Sequence, residues 1–475
     1  MKKLALNIIK FIIIMLFTCL SGCFIYYIDE LNILNQLYYL IFIIVIIIFW
    51  FFIVYNFTSK KTKPITLITL IIITLLISSL YFIGFRYASE TVKFVSKITE
   101  SNYINKKYFI LVLKNSEFNE INDLNNKNIG FISNDNVDLI KKNIKDKIKY
   151  NDKKYDNVGI LISKIYSKEI DALVIDESYI DLFEENNVSF KDESKEIYTF
   201  NIKVKKDNVS KKVDVNKTPF LVYVSGSDSR TGINTVARSD VNIVAVINPN
   251  TNKILLISIP RDYYVQLHNT TGTKDKLTHA GIYGIEMSKT TIEDLLDISI
   301  NYYIKVSFAS VINAVDVIDG IDIESDTEFT AKAQNGKTCN YVKGINHLDG
   351  DCALRYARER KIYLSGDRHR GQNQQAVITA MINKLNNPKY LVKYDEILTA
   401  IDGSFVTDMS YKEITDLAKN ELTSLKKWSV ESISLDGTGS SMPTYSMGSL
   451  NLYVMIPDDN TIINAKEKIK EYIGG

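Results

Sequence analysis

Three uninterrupted apolar stretches, Phe11 to Ile28, Leu37 to Phe57 and Ile65 to Phe85, occupy the start of the chain. Each is about long enough to cross a hydrocarbon core of about 30 Å as a helix, so a single soluble globule is excluded. Lys2, Lys3 and Lys10 precede the first stretch, Asp29 and Glu30 follow it, and Lys60, Lys61 and Lys63 fill the second connection. The positive-inside rule then puts the amino terminus and the second connection in the cytoplasm, and everything after Arg86 outside. Leu20-Ser21-Gly22-Cys23 has the form of a lipoprotein cleavage box. Lipidation at Cys23 would leave two spans and reverse the reading of loop charge; a small Ser-Gly-Cys patch packed between helices keeps all three.

The net charge of +2 is near neutral and gives no general attraction to nucleic acid. Basicity is instead local. Of nine arginines, against forty-eight lysines, eight fall between Arg230 and Arg370. A chain that uses lysine nearly everywhere keeps arginine where a planar five-donor fork is needed, and that fork fits phosphate. Arg230, Arg238, Arg261, Arg355, Arg358, Arg360, Arg368 and Arg370 therefore point to a multiply charged phosphate group; surface salt bridges are the plainer alternative. Few carboxylates are interleaved with these arginines in the sequence, and gathered cations without partners are costly unless an anion binds. No cysteine or histidine spacing resembles a zinc site. Cys339 and Cys352 lie in the exported part, where a disulfide is permitted and two buried thiols are equally compatible.

From Tyr87 to about Lys205, short apolar runs alternate with charged helical stretches. Periodicity predicts strands at residues 108–113, 128–132 and 171–175 and helices at 137–147 and 158–167. This is a small α/β module without site chemistry; residues 123–131 and 169–176 resemble pieces of an extracellular solute-binding domain, and a spacer is the simpler reading. Residues 206–219 read as a linker. From Phe220 the continuous β-branched runs 220–224, 241–247 and 254–259 suit strands buried on both faces. Helices follow at 288–296, 308–318, 349–361, 367–385, 411–425 and 464–472, with later strands near 430–435 and 452–456. The expected fold class is α/β: an α/β/α sandwich catalytic domain with a central mixed sheet, preceded by a small α/β accessory domain and three transmembrane helices. The expected domains are 1–86, membrane anchor; 87–205, accessory; 206–219, linker; and 220–475, catalytic, with its core motifs in 220–385.

Candidate site residues stand at strand ends or on one helix face, where chemistry is commonly mounted. Asp228 follows one strand and Asp240 precedes the next; such a pair suits one hard cation with oxygen ligands, although either aspartate alone reads as a turn or cap. Pro260 stops a buried strand, so Arg261 is expected to emerge at the sheet edge rather than in the core, where it could pair with Asp262 alone. Arg355 and Arg358 are three apart and Arg370 and Gln374 four apart, so each pair shares a helix face. Asp367 could cap the second helix and hold an arginine in register.

Five ordered blocks now carry a resemblance: Gly226-Ser-Asp228-Ser-Arg230, Ala237-Arg-Ser-Asp240-Val-Asn-Ile-Val, Ser258-Ile-Pro-Arg261-Asp262, Lys276-Leu-Thr-His279-Ala280, and Arg358-Glu-Arg360 followed by Gly366-Asp367, Arg370, Gln374 and Gln375. In order and spacing, over about Phe220 to Leu385, they resemble the signature of the LytR-CpsA-Psr family. One departure is Asn373, where that family commonly has arginine before the paired glutamines. The resemblance implies a magnesium-dependent phosphotransferase in the cell membrane with its catalytic domain outside. It would move a glycan or teichoic-acid-like polymer from a polyprenyl-pyrophosphate carrier to a peptidoglycan hydroxyl, forming a phosphodiester. It implies Asp228 and Asp240 as ligands of Mg2+ (or Mn2+). Arg238, Arg261, Lys276, Arg358, Arg360, Arg370 and Gln374 would surround the pyrophosphate, and Asp367 would orient arginines. Of these, Asp228, Arg261, Arg358 and Arg370 are the expected catalytic groups, and the lipid tail would lie in an apolar slot between sheet and helices. The expected partners are the polyprenyl-pyrophosphate-linked glycan, peptidoglycan and the lipid bilayer, with no nucleic acid. Alternatives are a hydrolase acting on the same carrier, a membrane-tethered transcriptional regulator, and a solute sensor built on the accessory module.

Overall fold

The computed structural model describes residues 2–31, 34, 36–59, 62–99, 103–133, 136–185, 188–205, 210–227, 233, 237–363, 366–387, 390, 394–401, 403, 405–424 and 427–474. The chain divides into two compact units. One comprises Met1–Thr99, Pro388–Asp402 and Ser410–Lys426; the other comprises Glu100–Asn387, Gly403–Met409 and Lys427–Gly475.

In the first unit the apolar stretches form helices α1 (Lys2–Leu31), α2 (Gln36–Thr58) and α3 (Pro64–Thr99). All three are long and apolar enough to cross a membrane. Their side chains meet around Ile13, Phe17, Ile53, Phe57 and Leu70. Helix α1 passes through Ser21-Gly22-Cys23 unbroken, with the Ser21 hydroxyl donating back to the Phe17 carbonyl at 2.7 Å. Helix α3 continues well beyond Arg86, and in its last part Ala88, Ser89, Thr91, Phe94 and Val95 are buried. The helices Tyr394–Ile401 and Tyr411–Ser424, amphipathic and distant in sequence, belong to this unit rather than to the sheet-bearing one.

Among the described residues the second unit holds two larger sheets and four two-stranded ones. The first orders β1 (Tyr103–Leu113), β2 (Asn128–Ile132), β3 (Asn151–Tyr155), β4 (Ala172–Asp176) and β5 (Ser194–Lys205) as β3-β2-β4-β1-β5. Strands β2, β3 and β4 are mutually parallel, and β1 runs antiparallel to β4 and β5. Strand β3 escaped the pattern reading because Asn-Asp-Lys-Lys-Tyr at a sheet edge shows no apolar alternation, and lysines at an edge discourage further strand addition.

The larger sheet contains β6 (Phe220–Ser227), β7 (Val241–Asn248) and β8 (Lys253–Ser258), with three later strands. Its order is Phe405–Thr407, Tyr302–Ser307, β6, β7, β8, Ser429–Ser434. Strand β7 is antiparallel to both neighbours, whereas Tyr302–Ser307 is parallel to β6 and Ser429–Ser434 parallel to β8. The sheet is therefore mixed. One face is covered by the helices Ile285–Leu296 and Asp459–Gly474, which bury Ile292, Leu296, Ile462 and Ile469 against Tyr223, Val244, Val246, Leu255 and Ile257. The helix Asp367–Leu385 lies on the other face. There the buried Gln375 amide donates to the carbonyls of Leu256 (3.0 Å) and Ile433 (2.7 Å) in adjacent strands. The expected α/β/α sandwich is thus realised. The carboxyl ends of β6, β8 and Ser429–Ser434 and the start of β7 fall at one end of the sheet, and the site residues cluster there.

Cys339 and Cys352 are disulfide-bonded, which decides between the two readings left open by the sequence. The bond ties the hairpin strand Thr338–Tyr341 to the helix Gly350–Ala357, which ends at Arg358. Closing a loop of 13 residues restricts the unfolded chain by about 3 kcal/mol. The Cys339→Ala/Cys352→Ala pair is expected to lower unfolding free energy by about that amount in a denaturant titration, with reduction of the native protein reproducing the loss.

Candidate functional site

The site is built on the end of β8. Pro260 ends the ladder, as expected, but β8 is an interior strand, so Arg261 leaves at its carboxyl end rather than at an edge of the sheet. Its guanidinium meets Asp240, at the start of β7, with Nη1 2.8 Å from Oδ1, and its Nε lies 3.7 Å from Asp262 Oδ2. Asp262 in turn holds Lys276, with Nζ 3.3 Å from Oδ1; the side chains of both are 6% exposed. The Arg370 guanidinium donates to the backbone carbonyl of Asp240. Two aspartates and three cations thus alternate along one buried chain of contacts.

Arg370 reaches this place because its helix lies directly against β8. A Cβ at Gly371 would sit 2.4 Å from the Ser258 hydroxyl, so only glycine permits that approach without displacement. Arg370 and Gln374, one turn apart on that helix, are both buried, and both line a cleft with Asp240, Ser258, Pro260, Arg261, Arg368, Ser434 and Leu435. The shared helix face read from the sequence is the face turned to the cleft.

Burial pushes the Asp240 carboxyl up, but the charges of Arg261, Arg238 and Arg370 outweigh it and hold the group below the usual carboxylate range. Asp240 is therefore an ionised carboxylate among three guanidinium groups. Asp228, the other expected metal ligand, and Arg230 lie outside the described residues. Asp367 opens the helix Asp367–Leu385, but its side chain, expected to orient arginines, is also outside the described set. Among the described residues no group of three or more His, Cys, Asp or Glu gathers as a metal cage. Magnesium is characteristically held by one or two carboxylates together with substrate phosphates. The oxygen-bearing, ionised Asp240 inside a cationic cleft fits that mode, and not a cage made by protein alone.

Two expectations are corrected. Arg355 and Arg358 take different partners rather than meeting at one anion, and the helix Gly350–Ala357 stops at Arg358 instead of continuing to Lys361. The buried Glu359 carboxylate accepts the backbone N–H groups of Arg360 (2.9 Å) and Lys361 (2.7 Å), which turns the chain out of the helix, and it also pairs with Arg355. Burial pushes the Glu359 carboxyl up, but these N–H donors and Arg355 outweigh it and hold the group low. Arg358 instead lays its guanidinium 4.8 Å over the Phe308 ring, and Arg360 is exposed. The shortage of carboxylates is likewise smaller in space than along the chain. Arg355 finds Glu359, Arg368 finds Asp436 at 2.6 Å, and Arg261 finds Asp240 and Asp262. Asp436 and Ser434 were missed by the sequence reading. Their one signal was position, at the carboxyl end of the predicted strand near 430–435.

Comparison with known proteins gives three findings. The model of the LytR_cpsA_psr family matches residues 186–470. The polyisoprenyl-teichoic acid--peptidoglycan teichoic acid transferase TagU of Bacillus mycoides (strain KBAB4) is 34% identical over 216 residues, which cover 44% of this chain and 68% of the relative. The protein of the same name from Enterococcus faecalis (strain ATCC 700802 / V583) is 34% identical over 235 residues, 48% of this chain and 75% of the relative. Among solved structures, B. subtilis TagV aligns with a TM-score of 0.45 at 27% identity, covering 54% of this chain and 98% of that one.

Proposed function

The chain belongs to the LytR_cpsA_psr family, and from that premise we propose that it is a membrane-anchored phosphotransferase working outside the cell. It moves an anionic wall polymer of the teichoic-acid kind from a polyprenyl diphosphate carrier to a sugar hydroxyl of peptidoglycan. The observation that carries this reading is the gathering of guanidinium charge at Asp240, with Arg261 on its carboxylate, Arg370 on its backbone carbonyl and the charge of Arg238 acting on it, in a cleft also lined by Arg368 and Gln374. Among the described residues, five cationic side chains, Arg238, Arg261, Lys276, Arg368 and Arg370, stand near three carboxylates, Asp240, Asp262 and Asp436. The surplus favours a further anion, and a diphosphate matches the planar guanidinium forks.

In the reaction the sugar hydroxyl oxygen attacks the phosphorus nearer the polymer. A phosphodiester forms, the bond from that phosphorus to the bridging oxygen breaks, and polyprenyl phosphate leaves with the electron pair while the hydroxyl proton passes to solvent. Negative charge grows on the leaving phosphate. Arg261, Arg370 and Lys276, already held by Asp240, Asp262 and backbone, oppose it without rearranging, which is where the rate gain arises. Gln374 adds amide donors beside Arg370, and Arg238 adds its charge next to Asp240; Arg358 and Arg360, which do not line the described cleft, would meet the diphosphate only at its outer oxygens. Asp240, with Asp228, would hold a magnesium or manganese ion that offsets charge on the diphosphate. The three apolar helices keep the enzyme at the bilayer that carries the polyprenyl substrate.

The test is incubation of the purified full-length protein, in detergent, with a polyprenyl-diphosphate-linked teichoic-acid polymer and peptidoglycan. Polymer covalently joined to peptidoglycan is expected, and chelation of divalent ions should slow its formation by on the order of a hundredfold, with magnesium restoring it. Release of free polymer at the same rate with and without peptidoglycan would instead identify a hydrolase.

A further inference from the structure

Next to Lys276, Asp275, His279 and Ser446 form a cluster that the reaction above does not use. All three residues are fully buried. The Asp275 carboxylate accepts from the backbone N–H of Lys276 (2.8 Å) and, on its other oxygen, from that of Ser446 (2.9 Å); its Oδ1 lies 2.7 Å from His279 Nδ1. The Ser446 hydroxyl is 2.9 Å from the same Nδ1. In a nucleophilic triad the carboxylate and the hydroxyl bind opposite nitrogens of the imidazole. Here both crowd one nitrogen and solvent is excluded, so the cluster's output is position and not attack.

What it positions is the segment bearing Lys276. Asp275 and Lys276 pair with Val265 and Tyr264, the N–H of Leu277 donates to the Tyr263 carbonyl (2.8 Å), and that of Thr278 to the Arg261 carbonyl (2.8 Å). The Thr278 carbonyl accepts from the N–H of Ser239, beside Arg238 and Asp240. A Cβ at Gly281 would lie 2.5 Å from the Ala237 carbonyl oxygen and 2.7 Å from the Ser239 nitrogen, so the two segments touch backbone to backbone. A lysine ammonium on its four-carbon stem is otherwise a loosely placed charge. Its aim depends on where its backbone is fixed, and Asp275 fixes the Lys276 N–H directly.

We propose that Asp275 and His279 are positioning residues, which lock the backbone of Lys276 so that its ammonium stays on Asp262 and, through Asp262, beside Arg261 in the diphosphate cleft. This rests on the phosphotransferase reading. His279 bridges the carboxylate to Ser446, in the turn between the strands Gly437–Thr444 and Gly448–Pro457, and so ties the segment to a rigid hairpin. Misplacing a group by about 1 Å can cost on the order of a hundredfold in rate.

The experiment is a double-mutant cycle on full-length protein, reading kcat for polymer transfer, binding of geranylgeranyl diphosphate by calorimetry, and Tm. Asp275→Asn is expected to lower kcat by on the order of tenfold or more, and to lower it no further when Lys276→Ala is already present, because both changes remove the same interaction. His279→Asn, which keeps a hydrogen-bond donor near the Nδ1 position, should hold kcat within about threefold of wild type, while His279→Leu should fall with Asp275→Asn. Losses that multiply in the Asp275→Asn/Lys276→Ala double variant, or full activity in Asp275→Asn and His279→Leu, would overturn the proposal. Should Asp275→Asn fail to fold, the contrast between the two His279 variants decides. A wild-type protein that neither binds the diphosphate nor transfers polymer removes the phosphotransferase reading itself, and this inference with it.

Discussion

Replacement of Arg370 by alanine should lower the rate of polymer transfer by on the order of a hundred- to a thousandfold, the loss typical of removing one preorganised donor from developing charge. The side chain is suited to show it. Arg370 is 8% exposed, lines the cleft, and places one guanidinium donor on the Asp240 carbonyl. Arg370→Lys keeps the charge without the planar fork and is expected to recover only part of the loss. Because the described contact with Asp240 is to its backbone carbonyl, and Arg261 keeps the Asp240 carboxylate paired, the Tm should fall by only a few degrees. Initial rates and a thermal melt on the same preparations check both halves. Undiminished transfer by Arg370→Ala would show that the cleft is not where the phosphates sit.

The interior strands were legible because each combined a continuous β-branched run with a sharp stop. Strands β6, β7 and β8 fall where residues 220–224, 241–247 and 254–259 predicted them, and Pro260 marks the exit of Arg261. Arg370 and Gln374 were legible from helical spacing alone. The remainder depended on contacts made across long stretches of chain. Glu359 follows Arg358 directly in sequence, yet its effect was to end the helix, because a buried carboxylate captured two backbone N–H groups, and no periodicity reports such a competitor. Asp436 reaches Arg368 across 68 residues, and Ser446 reaches His279 across 167. Counting carboxylates near arginines along the chain therefore underestimated the pairing in space. The strands between residues 321 and 348 are only four or five residues long, too short for their alternation to stand out, and Gly437–Thr444 is partly exposed and rich in glycine and serine, so no apolar run announced it.

Asp240→Asn should be the most destabilising single change at the site. Asp240 and Arg261 each have side chains 11% exposed and meet at 2.8 Å, and removing one partner of a buried pair leaves the other charge uncompensated, at about 3–5 kcal/mol. The charges of Arg238 and Arg370 act on this carboxylate beside that of Arg261, so the uncompensated charge in the variant is larger than in an isolated pair. The pH dependence carries the sign that separates this account from a simple packing defect. The folded carboxyl titrates below the ordinary value of about 3.9, so its contribution to stability is fully present above that pH and is lost as pH falls below it toward the folded value. Wild type and Asp240→Asn should therefore differ most near neutrality and converge as the solution is acidified below about pH 4. A denaturant titration of both proteins across that window measures the difference directly. A gap that stays constant with pH would mean that the aspartate acts through its shape, and that the cationic cluster does not depend on its charge.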